Sequence, residues 1–530
     1  MITAVPEKSA LVLDTRNPKL IQDAIPRNQL INPNTVAVKH CTDTIQILKN
    51  LGFDISGYEP IHWLYDYPLL FGEHTPMDHQ RVTAAFLNAH PRCYVLNQQR
   101  TGKTSSVVWA ADFLRKEGTI TGSILVVSTL STVRSVWENE IFGVTPSAST
   151  GVAWGSRKQR QKVLNDKPDW IIINHDGIKL CEHEIGAMVE SGEIGLIVVD
   201  EGGEFADHTT DKWESLNIIC KSVKRLWWLT ATPMSRGPDK VWGQARIVNK
   251  KLVPVMFTEW RWRVMTKVSK YKWVALPDAE SKVYAALQPG VRFKKRDVLQ
   301  NLPPITHQTL DVPLSDAQKK AIRQIKAEGA TMTAEGDIIT AANAAVQVGK
   351  ILQICGGTVK DDDGAAVKVK CTERLAAARS LINGTDEKVI IFASYHATLD
   401  MLAHEFRTFQ PIQIDGRVTG RKRDRLIELF KSTKGTDKRR RLLIAHPKVV
   451  SHGLEFSVAD TTIWWNPHPS AEVVAQANER MASAAQKNPM GIYYLASHWI
   501  EKQAYRTVHQ GLALQEKALS MYKNLMKETD

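Results

Sequence analysis

With 530 residues, 43% of them hydrophobic and 24% charged, the chain is too long for one ordinary domain and can bury sizeable cores. Lys and Arg outnumber Asp and Glu by 69 to 56, and the net charge of +13 points to a polyanionic partner. The six cysteines show no C-x-x-C spacing, no charged and then apolar leader opens the chain, and no run reaches the roughly 20 apolar residues of a membrane span; a zinc site, a disulfide framework and a membrane anchor are set aside, and a cytoplasmic location is expected.

In chain order, residues 1–60 read as an N-terminal extension, punctuated by Pro and Asn, with one helical stretch near 44–51. Residues 61–255 read as a first α/β lobe. Short apolar runs at 93–96, 123–128, 170–174, 196–200 and 226–230 alternate with helical patterns, the signature of buried parallel strands in a doubly wound sheet. Residues 256–345 lose that rhythm, are rich in Lys, Arg and Trp, and turn helical from Ser315. The alternation returns over 346–500, with strands expected at 388–393, 441–445, 461–465 and 491–495, and residues 501–530 read as a C-terminal helix. The acidic run 361–364 reads as a turn, since it lacks the further ligands of a calcium loop. The expected fold class is α/β: two lobes of parallel sheet flanked by helices, with an inserted basic, partly helical segment.

The strongest local signal is Asn97-Gln-Gln-Arg-Thr-Gly-Lys-Thr104, which follows a strand-like run and opens a helical one, the setting a phosphate loop needs. Gly102 lets the backbone approach phosphate, Lys103 places a charge on it, and the Thr104 hydroxyl suits Mg²⁺. Asn97 stands where such loops usually carry Gly or Ala. About a hundred residues on, Leu196-Ile-Val-Val runs into Asp200-Glu201, a buried strand ending in two carboxylates: Asp200 suits Mg²⁺ and Glu201 suits polarising a water. Then comes Leu229-Thr-Ala-Thr-Pro233, whose hydroxyls at Thr230 and Thr232 can bond to the acidic motif.

These motifs, in this order, resemble superfamily 2 helicases, and the rest of the chain resembles the Snf2-like branch, including its short phage and bacterial members. Thr75-Pro-Met-Asp-His-Gln80 resembles an adenine-reading Q motif, and the stretch 124–140, with Trp137, resembles motif Ia. Residues 169–176 resemble the next strand motif. The stretch 292–318 is similar to the Snf2 link between lobes. Residues 389–395 resemble motif IV, Asp415-Gly416 with 421–430 the turn and helix after it, Ser451-His-Gly453 motif V, and Gln476-Ala-Asn-Glu-Arg480 the start of motif VI. The resemblance covers roughly residues 60–500. It implies two RecA-like lobes closing on ATP and Mg²⁺, in a DNA-dependent ATPase that moves on or remodels duplex or branched DNA in replication, recombination or repair. Nucleotide contacts would come from Gln80, Arg100, Thr101, Gly102, Lys103, Thr104, Ser105, Gly453, Gln476 and Arg480, with Lys103, Glu201 and Arg480 catalytic and Thr104 and Asp200 on the metal.

Two departures stand out. Asp200-Glu-Gly-Gly203 lacks the histidine that often closes the acidic motif, and anchoring on Gln476 and Gln486 puts Ser483 where the family has a second motif VI arginine. A hydrolysis-impaired, ATP-gated DNA-binding scaffold is therefore one alternative reading, and an RNA helicase another. Basic clusters at Arg292, Lys294, Lys295 and Arg296, at Arg421 and Arg423, and at 438–441 are candidates for sequence-independent contacts to the phosphate backbone, the first ranking highest. Trp227, Trp228, Trp464 and Trp465 read as core; Trp260 and Trp262 stay open between core and base stacking.

Overall fold

In the computed structural model, alternating side chains make a sheet from the first residues onward. Strands β1 (Ile2–Val5), β2 (Ala10–Asp14), β3 (Asn28–Asn32) and β4 (Thr35–Lys39) pair antiparallel in the order β1-β2-β4-β3. Leu11, Leu13, Val36 and Val38 line one face and pack on Ile21 of the helix Pro18–Ala24 and on Ile45 and Leu48 of the helix Thr42–Asn50. Only the second helix is visible in the sequence; the strands are too short, and too rich in Ala, Thr and Asn, to announce themselves. The structure describes all residues except 131, 235–236, 270–272, 299–302, 335–340, 361–364, 419, 433–440, 451–455, 483–485, 511–520 and 522–530, and only the backbone of 134–135, 328–334, 341–343, 420–421 and 450.

The chain divides into two units, Met1–Gln300 and Asn301–Asp530. In the first, β5 (Arg92–Val95), β6 (Ser123–Ser128), β7 (Thr150–Ala153), β8 (Trp170–Asn174), β9 (Ile194–Val199) and β10 (Arg225–Leu229) are followed by a hairpin, β11 (Met265–Lys267) and β12 (Trp273–Ala275), and by β13 (Gly290–Val291). The main sheet runs β13-β5-β10-β9-β6-β8-β7 with every pair parallel. Helices cover both faces, which is why these strands are apolar throughout rather than alternating. Trp227 and Trp228, both fully buried, belong to cores on opposite faces, as successive strand residues must.

The second unit repeats the plan. Its strands are β14 (Ile305–Asp311), β15 (Thr358–Lys360), β16 (Ala366–Lys368), β17 (Lys388–Phe392), β18 (Ile412–Ile414), β19 (Leu442–Ala445), β20 (Ala459–Trp464) and β21 (Met490–Ala496). All but the β15–β16 hairpin form a parallel sheet in the order β14-β21-β20-β17-β19-β18. Trp464 and Trp465 are fully buried here. Two α/β lobes of parallel sheet are thus present, as expected. The region 256–345 does more than link them: β13 adds an edge strand to the first sheet, and β14 adds one to the second. Among the described residues no helix is long and apolar enough to cross a membrane, and all six cysteines are free thiols.

Buried in the second unit, Arg374 and Glu501 form an ion pair at 2.6 Å, with side chains 1% and 0% exposed. The guanidinium also donates to the carbonyls of Trp465 and Leu495, and Ser497 N donates to the carboxylate, so this pair ties the ends of two strands to two helices.

Candidate nucleotide-binding site

The sheet order gathers the motifs of the first unit. The phosphate loop leaves the C-terminal end of β5, the Thr230–Thr232 motif that of β10, the acid pair that of β9 and the basic segment that of β13. These four strands are neighbours and all parallel, so the four segments emerge side by side at one edge of the sheet, where ligands of open α/β sheets bind.

Phosphate-loop geometry follows from two left-handed residues, Arg100 (φ 68°) and Gly102 (φ 69°), the latter capping the helix Lys103–Lys116. A turn of this kind at a helix N-terminus leaves N–H groups facing outward for an anion. Gly102 is required twice over. Its φ suits glycine, and a Cβ there would lie 1.8 Å from Gln80 Nε2. Gln80 is itself fixed, 8% exposed, with Oε1 accepting from Met77 N at 2.8 Å. The structure therefore seats the Q-motif glutamine directly on the loop glycine. Lys103 Nζ donates to the carbonyls of Asn97 (3.1 Å) and Gln98 (3.2 Å), Thr101 Oγ1 donates to Gln98 O (2.9 Å), and Ser105 Oγ donates to Glu140 (2.8 Å).

Asn97, the departure in the loop, has a structural reason. It is 1% exposed; its Nδ2 donates to Thr83 Oγ1 at 3.0 Å and its Oδ1 accepts from Phe293 N at 2.9 Å. Gln98 adds two further bonds to the same segment, its N donating to Phe293 O and its Oε1 accepting from Lys295 N at 2.7 Å. The loop and the basic segment 292–296 are clamped together by residues almost 200 apart in sequence. Arg292, Lys294 and Arg296 are exposed, with Arg292 lying over the Tyr284 ring at 5.0 Å. Lys295 corrects the sequence reading: it is 9% exposed and faces inward, so it is not presented to a backbone phosphate as its neighbours are.

The acidic strand β9 delivers Asp200 through residues 196–199, all fully buried. Asp200 Oδ2 accepts from Trp137 Nε1 (2.9 Å) and Ser128 Oγ (3.0 Å), and Oδ1 from Glu201 N (3.0 Å). The motif Ia-like stretch is thus what orients the metal-ligand candidate, a role for Ser128 and Trp137 absent from the sequence reading. His175 bonds the Asp200 carbonyl at 2.9 Å, and burial pushes its pKa down. It contacts the motif that lacks a histidine at Gly203. Gly202 has its own reason: a Cβ would fall 2.0 Å from the Trp228 indole nitrogen. That nitrogen donates to Gln244 Oε1 (3.1 Å), and Gln244 Nε2 donates to Pro233 O (2.8 Å). Gln244, fully buried, is therefore a physical link between the acid motif and the Thr230–Pro233 motif, where Thr232 N also donates to Thr230 Oγ1 at 3.3 Å. Its only sequence signal is a lone amide in the apolar helix Val241–Val248.

A hydroxyl at Thr104 and a carboxylate at Asp200 are hard oxygen donors of the kind Mg²⁺ takes. Among the described residues no group of three or more His, Cys, Asp or Glu could hold a metal ion.

In the second unit Gln476 and Arg480 are 3% and 6% exposed, on and just after the helix Ala471–Asn478, and Arg480 Nε donates to Gln476 O at 3.1 Å. Arg423 lies 3.6 Å from Asp424, its side chain only 16% exposed. Asp415 is held well below the usual carboxylate range by bonds from the Arg417 guanidinium. Gly453, Ser483 and residues 438–440 fall outside the described residues, as does the side chain of Arg421.

The SNF2-related domain family matches residues 96–356, and the helicase conserved C-terminal domain matches residues 373–485. The ATP-dependent DNA helicase DDM1 of Arabidopsis thaliana is 24% identical over 459 residues, covering 79% of this chain; the match spans 58% of that protein's length. Putative protein p41 of Acyrthosiphon pisum secondary endosymbiont phage 1 is 23% identical, covering 80% of this chain and 93% of the phage protein. Among solved structures, the Sulfolobus solfataricus SWI2/SNF2 ATPase core in complex with dsDNA aligns with 17% identity and a TM-score of 0.40, covering 87% of this chain and 96% of that one.

Proposed function

We propose that this chain, which matches the SNF2-related domain family over residues 96–356 and the helicase conserved C-terminal domain over residues 373–485, is a Snf2-type DNA-dependent ATPase, a motor that hydrolyses ATP to move on or remodel duplex or branched DNA in replication, recombination or repair. The observation that carries this reading is the shared sheet edge. Phosphate loop, hydroxyl motif, acid pair and basic segment leave four adjacent parallel strands, and the loop is hydrogen-bonded to the basic segment through Asn97 and Gln98.

In this account Gln80 reads the adenine, and the ATP phosphates replace the Asn97 and Gln98 carbonyls as partners of Lys103. Thr104 and Asp200 would hold Mg²⁺, which when bound would neutralise phosphate charge. Glu201 orients the attacking water, and Arg480, with Gln476, stabilises charge on the γ-phosphate. Exposed Arg292, Lys294 and Arg296 meet backbone phosphates, so binding ignores sequence and falls with salt. The name of the Arabidopsis relative, an ATP-dependent DNA helicase, favours DNA over RNA as the track.

A second reading, an ATP-gated DNA-binding scaffold with impaired hydrolysis, draws on Gly203 and Ser483. Triplex displacement separates the two. ATP-dependent release of a third strand from a long duplex, lost in Lys103→Ala, is the expected result. ATP binding with neither turnover nor release on any DNA would favour the scaffold.

A further inference from the structure

Residues 260–277 hold five Lys or Arg and no Asp or Glu, and three of the chain's 15 tryptophans. The structure sorts these aromatic residues. Trp260 is 3% exposed, its Nε1 donating to Pro238 O at 3.2 Å, and anchors the helix Phe257–Val264 to the lobe. Trp262, two positions on, is 58% exposed. Its ring meets Trp273 of β12 edge-on, centroids 4.7 Å apart at 67°. The Arg261 guanidinium lies 4.5 Å from the Trp273 centroid and is held by the buried Asp239 at 3.2 Å. Lys267 stands directly opposite Trp273 in the β11–β12 register. An indole left in water but braced by a second ring and a pinned guanidinium is a preorganised platform, and its surroundings are cationic.

We propose that this helix and hairpin form a binding site for an unpaired DNA strand, with Trp262 stacking on a base and Arg263 and Lys267 meeting the flanking phosphates. Base stacking on an aromatic ring beside cations is how single strands are held without sequence preference. Arg263 is paired with Glu259 at 2.5 Å, but both side chains are more than half exposed, and a phosphate displaces so weak a partner readily. A polyanion fits the cations Arg261, Arg263 and Lys267; a basic or neutral protein surface does not. This inference rests on the DNA reading above and deepens it: the substrate would be a duplex that carries an unpaired arm, such as a fork.

The test uses the full chain and three labelled DNAs: a blunt duplex, the same duplex with an oligo-dT arm, and the same arm made abasic. The dT arm should raise affinity about tenfold, the range of one stacked base, and the abasic arm should not. Trp262→Ala should lose that gain while blunt-duplex affinity stays within about twofold, and Lys267→Glu should weaken the arm's effect independently. Equal gains from the two arms, or a gain undiminished in Trp262→Ala, would overturn the site while leaving duplex binding and the motor reading intact. Failure of every DNA to bind, blunt duplex included, would overturn both.

Discussion

Replacing Asn97 by alanine tests whether the phosphate loop and the basic segment act as one piece. The amide is 1% exposed and makes two side-chain hydrogen bonds, one to the Thr83 hydroxyl and one from Phe293 N. Alanine leaves that N–H without its partner, whereas Thr83 keeps its bond to His79 O at 2.7 Å. A stranded donor costs about 1–3 kcal/mol and the lost Thr83 bond about 1 kcal/mol, so the first unit should lose about 2–4 kcal/mol. Urea unfolding reads this as a shift in midpoint at constant slope. Thr83→Val removes the hydroxyl's bonds to Asn97 and to His79 O but leaves the Asn97–Phe293 bond in place; it should also destabilise, by about 2–3 kcal/mol, and serves as the control that keeps the clamp. Asn97→Ala, unlike Thr83→Val, should blunt stimulation of ATP turnover by duplex DNA, because beyond β13 the basic segment would keep only its Gln98 bonds to the loop. An unchanged midpoint, or full stimulation, in Asn97→Ala would refute the clamp.

Arg480→Ala should abolish turnover while a fluorescent ATP analogue still binds; retained turnover would remove Arg480 from the reaction. Glu501→Gln leaves Arg374 buried without its anion and should destabilise the second unit by about 3–5 kcal/mol, the cost of breaking a buried pair; thermal melting that moves by less than a degree would show the pair to be dispensable. His468 is 3% exposed, accepts from Ser470 N, and is pushed by burial from 6.5 to about 4. Its folded pKa is lowered, so stability is complete above about 6.5 and falls as pH drops toward 4. His468→Gln should therefore lose less stability than the parent between pH 7.5 and pH 5, by up to about 2 kcal/mol; equal losses in the two proteins would show that this ring does not titrate as described.

Much of the fold was legible because the central strands are buried on both faces and so appear as unbroken apolar runs, as in residues 196–199 and 226–229. Edge strands carry no such mark. The β14 residues are mostly exposed and polar, and β13 is two residues long and is a strand only through its pairing with β5. The candidate site divides the same way. Gly102, Lys103, Asp200 and Thr230 can be found because their chemistry needs them beside a strand end in a fixed order. Asn97 looked like a flaw in the loop; its partner Phe293 lies far along the chain, and no local pattern links them. Gly202 and Gln244 are explained by one indole, Trp228, whose neighbours only the folded sheet reveals.

The most direct test of the central claim is steady-state ATP turnover with no polymer, duplex DNA, single-stranded DNA, branched DNA and RNA, with Lys103→Ala alongside. The account predicts strong stimulation by duplex or branched DNA, none by RNA, and loss of all turnover in the variant. Turnover that no DNA stimulates, or that survives loss of Lys103, would contradict it.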